Sequence, residues 1–172
     1  MPTQGFFCIL KEKYVFKRTS NRTLNSRNTR KKAQVGIDLT VCDIKSIQGG
    51  ALLKDKTELQ PYATKALDTF DGKEGWYLIS GHAYSVTFDQ GVKLGSIHTA
   101  FIRHRSSLLR MGWTCTSGVY DPGFEVDQMG AVLMGNCNIF IEKGARIAQI
   151  VVAENYNADL YNGQWQGEKD VK

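Results

Sequence analysis

The pattern that most constrains this chain is alternation. Gln34-Val-Gly-Ile-Asp-Leu-Thr-Val41 carries apolar residues at 35, 37, 39 and 41. A period of two fits a half-buried β-strand and not a helix. Apolar runs of strand length recur at 76–79, 83–88, 95–102, 130–134, 138–141 and 145–152, and 6–16 reads as one or two more. Turn signals separate them: Gly49-Gly50, Gly81, Asp89-Gln-Gly91, Asp121-Pro-Gly123 and Gly135-Asn136. Only 106–111 and 64–70 read as helical, and both are short. Strands about ten residues apart with turns between them predict a mainly all-β sandwich or barrel with one or two short helices.

A length of 172 residues suits one domain, here 1–172. A hydrophobic fraction of 42% excludes wholesale disorder. No run of apolar residues is long enough for a membrane-spanning helix, so no membrane partner is expected. The start lacks a basic stretch followed by a long apolar one, so a cytoplasmic location is expected. Cysteines stand at 8, 42, 115 and 137 without a Cys-x-x-Cys pair, and His82, His98 and His104 are not at zinc-finger spacing. They read as reduced, partly buried thiols.

The net charge of +5 is local in origin. Residues 11–32 hold nine Lys and Arg against Glu12 alone, so the rest of the chain is mildly acidic. The basic stretch 18–32 is rich in Ser, Asn and Thr and could grip nucleic acid or a polyphosphate. It contains no interleaved aromatic, which argues against single-strand binding. A solvated, mobile loop is the favoured reading, and nucleic acid is not expected as a partner.

Four islands combine polar groups with the β pattern. In Val35-Gly-Ile-Asp-Leu39, Asp38 falls on the face opposite Ile37 and Leu39, so it can point away from the core. Arg103-His-Arg-Ser-Ser-Leu-Leu-Arg110 presents two hydroxyls flanked by guanidiniums, a combination suited to phosphate. The same Ser pair could equally cap a helix. Val119-Tyr-Asp-Pro-Gly-Phe124 holds an Asp in a tight turn beside an aromatic, either for chemistry or simply as a turn former. Gly144-Ala-Arg-Ile-Ala-Gln-Ile150 threads Arg and Gln through an apolar strand, and Gln149 is a ligand contact or a buried, satisfied amide.

Taken in order, Gly-x-Asp-Leu, Arg-Ser-Ser-Leu, Gly-Val-x-Asp-x-Gly-Phe and Arg-Ile-Ala-Gln resemble the dUTPase/dCTP deaminase superfamily from about Gln34 to Gly167. The tail Tyr161-Asn-Gly-Gln-Trp-Gln-Gly167 is similar to deaminase-like members, and the glycine-rich tail of ordinary trimeric dUTPases is absent. The mixture looks like archaeal-type and viral dUTPases. The resemblance implies a single distorted, jelly-roll-like β-barrel with a C-terminal tail or lid over 156–172.

It also implies a chemistry: Mg²⁺-assisted hydrolysis of dUTP to dUMP and pyrophosphate in a homotrimer. Asp121 would activate the water that attacks the α-phosphorus. Phe124 would pack under the deoxyribose, and the backbone from Gly118 would read the base. Arg105, Ser106 and Ser107 would hold phosphates, with Arg110 nearby and Gln149 at the α-phosphate. Asp38 would help hold Mg²⁺ through water. Tyr161 and Trp165 would close over the base.

The alternatives are a dCTP deaminase or bifunctional enzyme, and a non-catalytic nucleotide-binding regulator. Family deaminases need a glutamate three residues before the Asn that closes the third-motif hairpin. Counting back from Asn136 gives Leu133, and counting ten forward from Asp121 gives Ala131. The two counts differ because the hairpin reads two residues longer here. Glu125 is the nearest such carboxyl and lies on the wrong side of the turn.

Overall fold

A computed structural model describes residues 36–163 and 166–167. The basic stretch 18–32 and Trp165 lie outside the described residues. In chain order the strands are β1 (Ile37–Ser46), β2 (Gly50–Leu52), β3 (Thr57–Leu59), β4 (Ala63–Thr64), β5 (Asp68–Phe70), β6 (Lys73–Leu78), β7 (Ala83–Phe88), β8 (Val92–Lys93) and β9 (His98–His104). A one-and-a-half-turn helix α1 (Ser106–Arg110) follows, then β10 (Trp113–Thr116), β11 (Glu125–Val126), β12 (Gly130–Gly135), β13 (Ile139–Glu142) and β14 (Arg146–Glu154).

Six strands close into a barrel in the order β14-β9-β10-β12-β7-β1, because β1 also pairs with β14. The inward residues follow the alternation: Tyr84, Val86 and Phe88 on β7 are buried while Ser85 and Thr87 are not. Full burial of one such side chain stabilises the fold by about 1.5–3 kcal/mol. On β1, Leu39 and Val41 point inward as the pattern predicts. Strict alternation would next bury Asp43. A register shift between Val41 and Asp43 inserts an extra residue opposite β7, so Ile44 turns inward instead.

The 64–70 helix expected from sequence is absent. β4 and β5 lie there, and β5 pairs with β6 across Asp71-Gly72. Both loop residues have positive φ, 52° and 70°. This is the Asp-Gly hairpin signal, which outweighs a weak helical pattern. β5, β6 and β13 form a separate three-stranded sheet with Phe70, Tyr77 and Phe140 clustered on it.

Cys42 is half-buried and Cys115 fully so, and both are free thiols. Burial, with Asp89 and Asp43 nearby, pushes Cys42 up to about 11. Burial alone pushes Cys115 up to about 12. Both are protonated at neutral pH and poor nucleophiles. No helix among the described residues is long and apolar enough to cross a membrane.

Candidate active site

The phosphate half of the expected site is built on three neighbouring strands. The β1–β14 register pairs Asp38 with Gln149, and the β14–β9 register pairs Gln149 with Arg103. Directly opposed residues share a face, so these three side chains form one row on the outside of the barrel. Asp38 does leave the core, yet its side chain is only 9% exposed because guanidiniums cover it. Arg146 Nη1 donates to Asp38 Oδ2 at 3.0 Å. Arg105 Nε stands 3.3 Å from Oδ1 without hydrogen-bond alignment. Each arginine keeps about a third of its side chain in solvent (35% and 36%). A half-neutralised cationic pair thus faces outward, held by one buried anion.

Arg105 ends β9 and starts α1. Its backbone N–H donates to Ile147 O at 2.8 Å, and its Nη1 donates to Arg146 O at 3.3 Å. Arg105 is the N-cap, and no side chain caps the helix. The cap reading of the Ser pair therefore fails: Ser106 and Ser107 are the first two helical residues, both exposed. Arg110 is exposed in the last turn. Ser107 and Arg146 also border a cleft of about 350 Å³ whose other wall includes Phe70, Lys73 and Phe140.

The second half is the loop after β10. Phe124 N donates to Asp121 O at 3.1 Å, with Pro122 and Gly123 between them and Gly123 at φ +79°. That is a type II turn, which needs a residue tolerant of positive φ at its third position. Asp121 is exposed at its first corner. Phe124 is buried, stacked on Tyr120 at 5.0 Å with 14° between planes, and Tyr161 meets it edge-on at 5.2 Å. Gly118 is exposed, with open space around its Cα.

These halves do not meet within one chain. Tyr120 pairs with Ala100, five residues before Arg105, which separates them by about 17 Å along β9. Arg105, Ser106, Ser107 and Gln149 gather with Asp38 at one end. Asp121, Phe124 and Tyr161 gather at the other. Sequence reading missed Arg146 as a partner of Asp38, which only the β1–β14 register brings together. It also missed Tyr120 as the platform for Phe124.

The deaminase positions resolve clearly. Ala131 and Leu133 on β12 are buried in the barrel, opposite Val86 and Tyr84. A third frame, counting back from Asn138 instead, lands on Gly135. A Cβ there would sit 2.3 to 2.5 Å from the ring of Trp113, which is itself anchored by an indole N–H bond to Cys137 O at 2.7 Å. No frame offers a carboxylate, and the last has no room for any side chain. Among the described residues no three His, Cys, Asp or Glu side chains cluster to hold a metal ion.

The dCTP deaminase-like family model matches residues 9–155. A probable deoxyuridine 5'-triphosphate nucleotidohydrolase of Aeropyrum pernix is 34% identical over 136 residues, 77% of this chain and 83% of that one. The deoxyuridine 5'-triphosphate nucleotidohydrolase of Methanocaldococcus jannaschii is also 34% identical, over 78% of this chain and 86% of that one. Among solved structures, the 2'-deoxycytidine 5'-triphosphate deaminase of Agrobacterium tumefaciens aligns with TM-score 0.59 at 14% identity, over 86% of this chain and 45% of that one. A dUTPase of Staphylococcus bacteriophage 80alpha aligns with TM-score 0.50 at 14% identity, over 89% and 97%. At such identities the structural likeness speaks for the fold alone. With the motif order, the closed barrel and these relatives together, the chain belongs to the dUTPase/dCTP deaminase superfamily.

Proposed function

We propose that this chain is a dUTP diphosphatase. Water attacks the α-phosphorus of dUTP while Asp121 takes its proton, the bond from that phosphorus to the bridging oxygen breaks, and dUMP and pyrophosphate leave. The observation that carries this reading over deamination is the apolar filling of β12. Deamination without a proton-shuttling carboxyl forfeits about 10²–10⁴ in rate from that group alone. Pyrophosphate hydrolysis requires an exposed carboxylate and phosphate-binding cations and hydroxyls, and this chain has both sets. The naming of the archaeal relatives supports the same substrate.

In this reading Arg105, Ser106 and Ser107 hold phosphates, Arg110 stands by, and Gln149 lies near the α-phosphate. The hairpin backbone from Gly118 reads the base, and Phe124 seats the sugar with Tyr161 beside it. Magnesium ion would arrive with the triphosphate, since a lone carboxylate already shared by two guanidiniums does not make a protein cage for it. A role for Asp38 toward the ion requires Arg105 to turn away onto a phosphate. Incubation with each dNTP and Mg²⁺ tests the reading. Pyrophosphate and dUMP from dUTP alone are expected, and ammonia from dCTP would overturn it.

The separation of the two halves along β9 supports a site shared between copies, with Asp121 of one subunit facing the arginines of another. A homotrimer is the assembly the family resemblance implies. Light scattering at micromolar concentration is expected to give the mass of three chains. A stable, fully active monomer would exclude a shared site.

A further inference from the structure

We propose that Gln166 is a positioning residue that latches the C-terminal tail onto the Asp121–Phe124 turn of its own chain. Its side-chain amide spans the two peptide groups that flank Phe124. Gln166 Nε2 donates to Gly123 O at 3.1 Å, and Gln166 Oε1 accepts from Glu125 N at 3.2 Å. A primary amide offers a donor and an acceptor side by side, so glutamine can serve both peptides at once. Two backbone bonds extend the clasp: Tyr161 N to Pro122 O at 2.8 Å and Gly167 N to Glu125 O at 2.9 Å.

The turn's inner bonds are made elsewhere. Phe124 N closes on Asp121 O, and Leu94 N donates to Phe124 O at 2.9 Å. Gly123 N also donates to Gly95 O at 3.3 Å, and the tail adds the bonds to Pro122 O, Gly123 O and both Glu125 peptide groups, with the edge contact of Tyr161 on Phe124. Gln166 thus acts on the nucleotide without touching it, by fixing the backbone that carries the catalytic carboxylate and the sugar platform. This role rests on the reading of Asp121 and Phe124 given above.

The test uses the full-length protein with Gln166→Ala and Gln166→Glu. Gln166 is exposed, so both variants are expected to fold with an unchanged melting temperature. Hydrogen exchange reads the latch without any nucleotide. In Gln166→Ala the Glu125 and Gly167 amides are expected to exchange at least about tenfold faster. Unchanged exchange at Glu125 overturns the latch. In Gln166→Glu the acceptor remains and Glu125 stays protected, while the donor to Gly123 O is lost.

Kinetically, both variants are expected to raise KM for dUTP by about tenfold and narrow the preference for dUTP over UTP, with a smaller change in kcat. Wild-type KM and preference in both would overturn the positioning role. Mixing Gln166→Ala with Asp121→Asn subunits settles which turn the tail serves. A latch within one chain predicts activity at low dUTP no greater than the sum of the two parents. Activity above that sum means that tails cross between subunits, and overturns the proposal. Should Asp121→Asn alone prove active, the catalytic reading fails, while exchange at Glu125 still reports on the latch.

Discussion

Asp121→Asn is expected to lower kcat by about 10²–10⁴ while the affinity for a non-hydrolysable dUTP analogue stays within about tenfold. The separation of the two effects follows from how the turn is held. Its closing bond runs from Phe124 N to the main-chain oxygen of Asp121, and Gly123 supplies the positive φ. The carboxylate itself is exposed and not needed for the turn to form. An amide of the same shape leaves the backbone, the Phe124 platform and the melting temperature intact. In the proposed reading it would keep the hydrogen bond to the sugar but could not accept a proton from water. Single-turnover rates and equilibrium binding on the same variant measure the two quantities separately. Wild-type kcat in Asp121→Asn would remove the catalytic assignment.

What could be read in advance depended on the range of the interaction. β7 was readable to the residue, because 83–88 alternates without interruption and lies between two turns. α1 was readable within one residue at its end. β10 escaped notice although Trp113 and Cys115 alternate with threonines, since four residues squeezed behind a helix carry little pattern. β2, β3, β8 and β11 are two or three residues long and owe their existence to a partner across space rather than to their own composition. Closure of the barrel through β1 and β14 joins residues more than a hundred positions apart, which no local window contains.

The site divides in the same way. The Asp-Pro-Gly-Phe turn is local, so its place in the chain is legible in the sequence, and the Phe124 N–Asp121 O bond closes it there. The Ser pair was identifiable too, though not its freedom from capping, because Arg105 at the N-cap makes no side-chain cap bond. The ion pairs of Asp38 with Arg146 and Arg105 come from strand register and from the end of β9, so an acidic residue that looked solvent-facing proves enclosed. The clasp of Gln166 works through main-chain groups of the turn, and backbone partners leave no mark on residue identity at the turn itself.

Leu133→Glu is expected to abolish folding rather than to confer deamination. Leu133 has no exposure and faces the barrel interior, opposite Tyr84 on β7 and the buried Cys115 on β10. A carboxylate at that depth has no cation among its strand neighbours, and burying it unpaired costs several kcal/mol even after it takes up a proton. Lost packing of the leucine adds about 2–5 kcal/mol. The sum is comparable with the whole stability of a domain this size, about 5–15 kcal/mol. Gly135 gives no easier route, since the Trp113 ring already fills the space a side chain would need. Denaturant unfolding of Leu133→Glu, with ammonia release from dCTP measured on any folded fraction, decides the matter. A variant that stays folded and releases ammonia would mean that position 133 faces a pyrimidine, and would overturn the diphosphatase reading. Loss of the folded state is the expected result, because position 133 on β12 belongs to the barrel core.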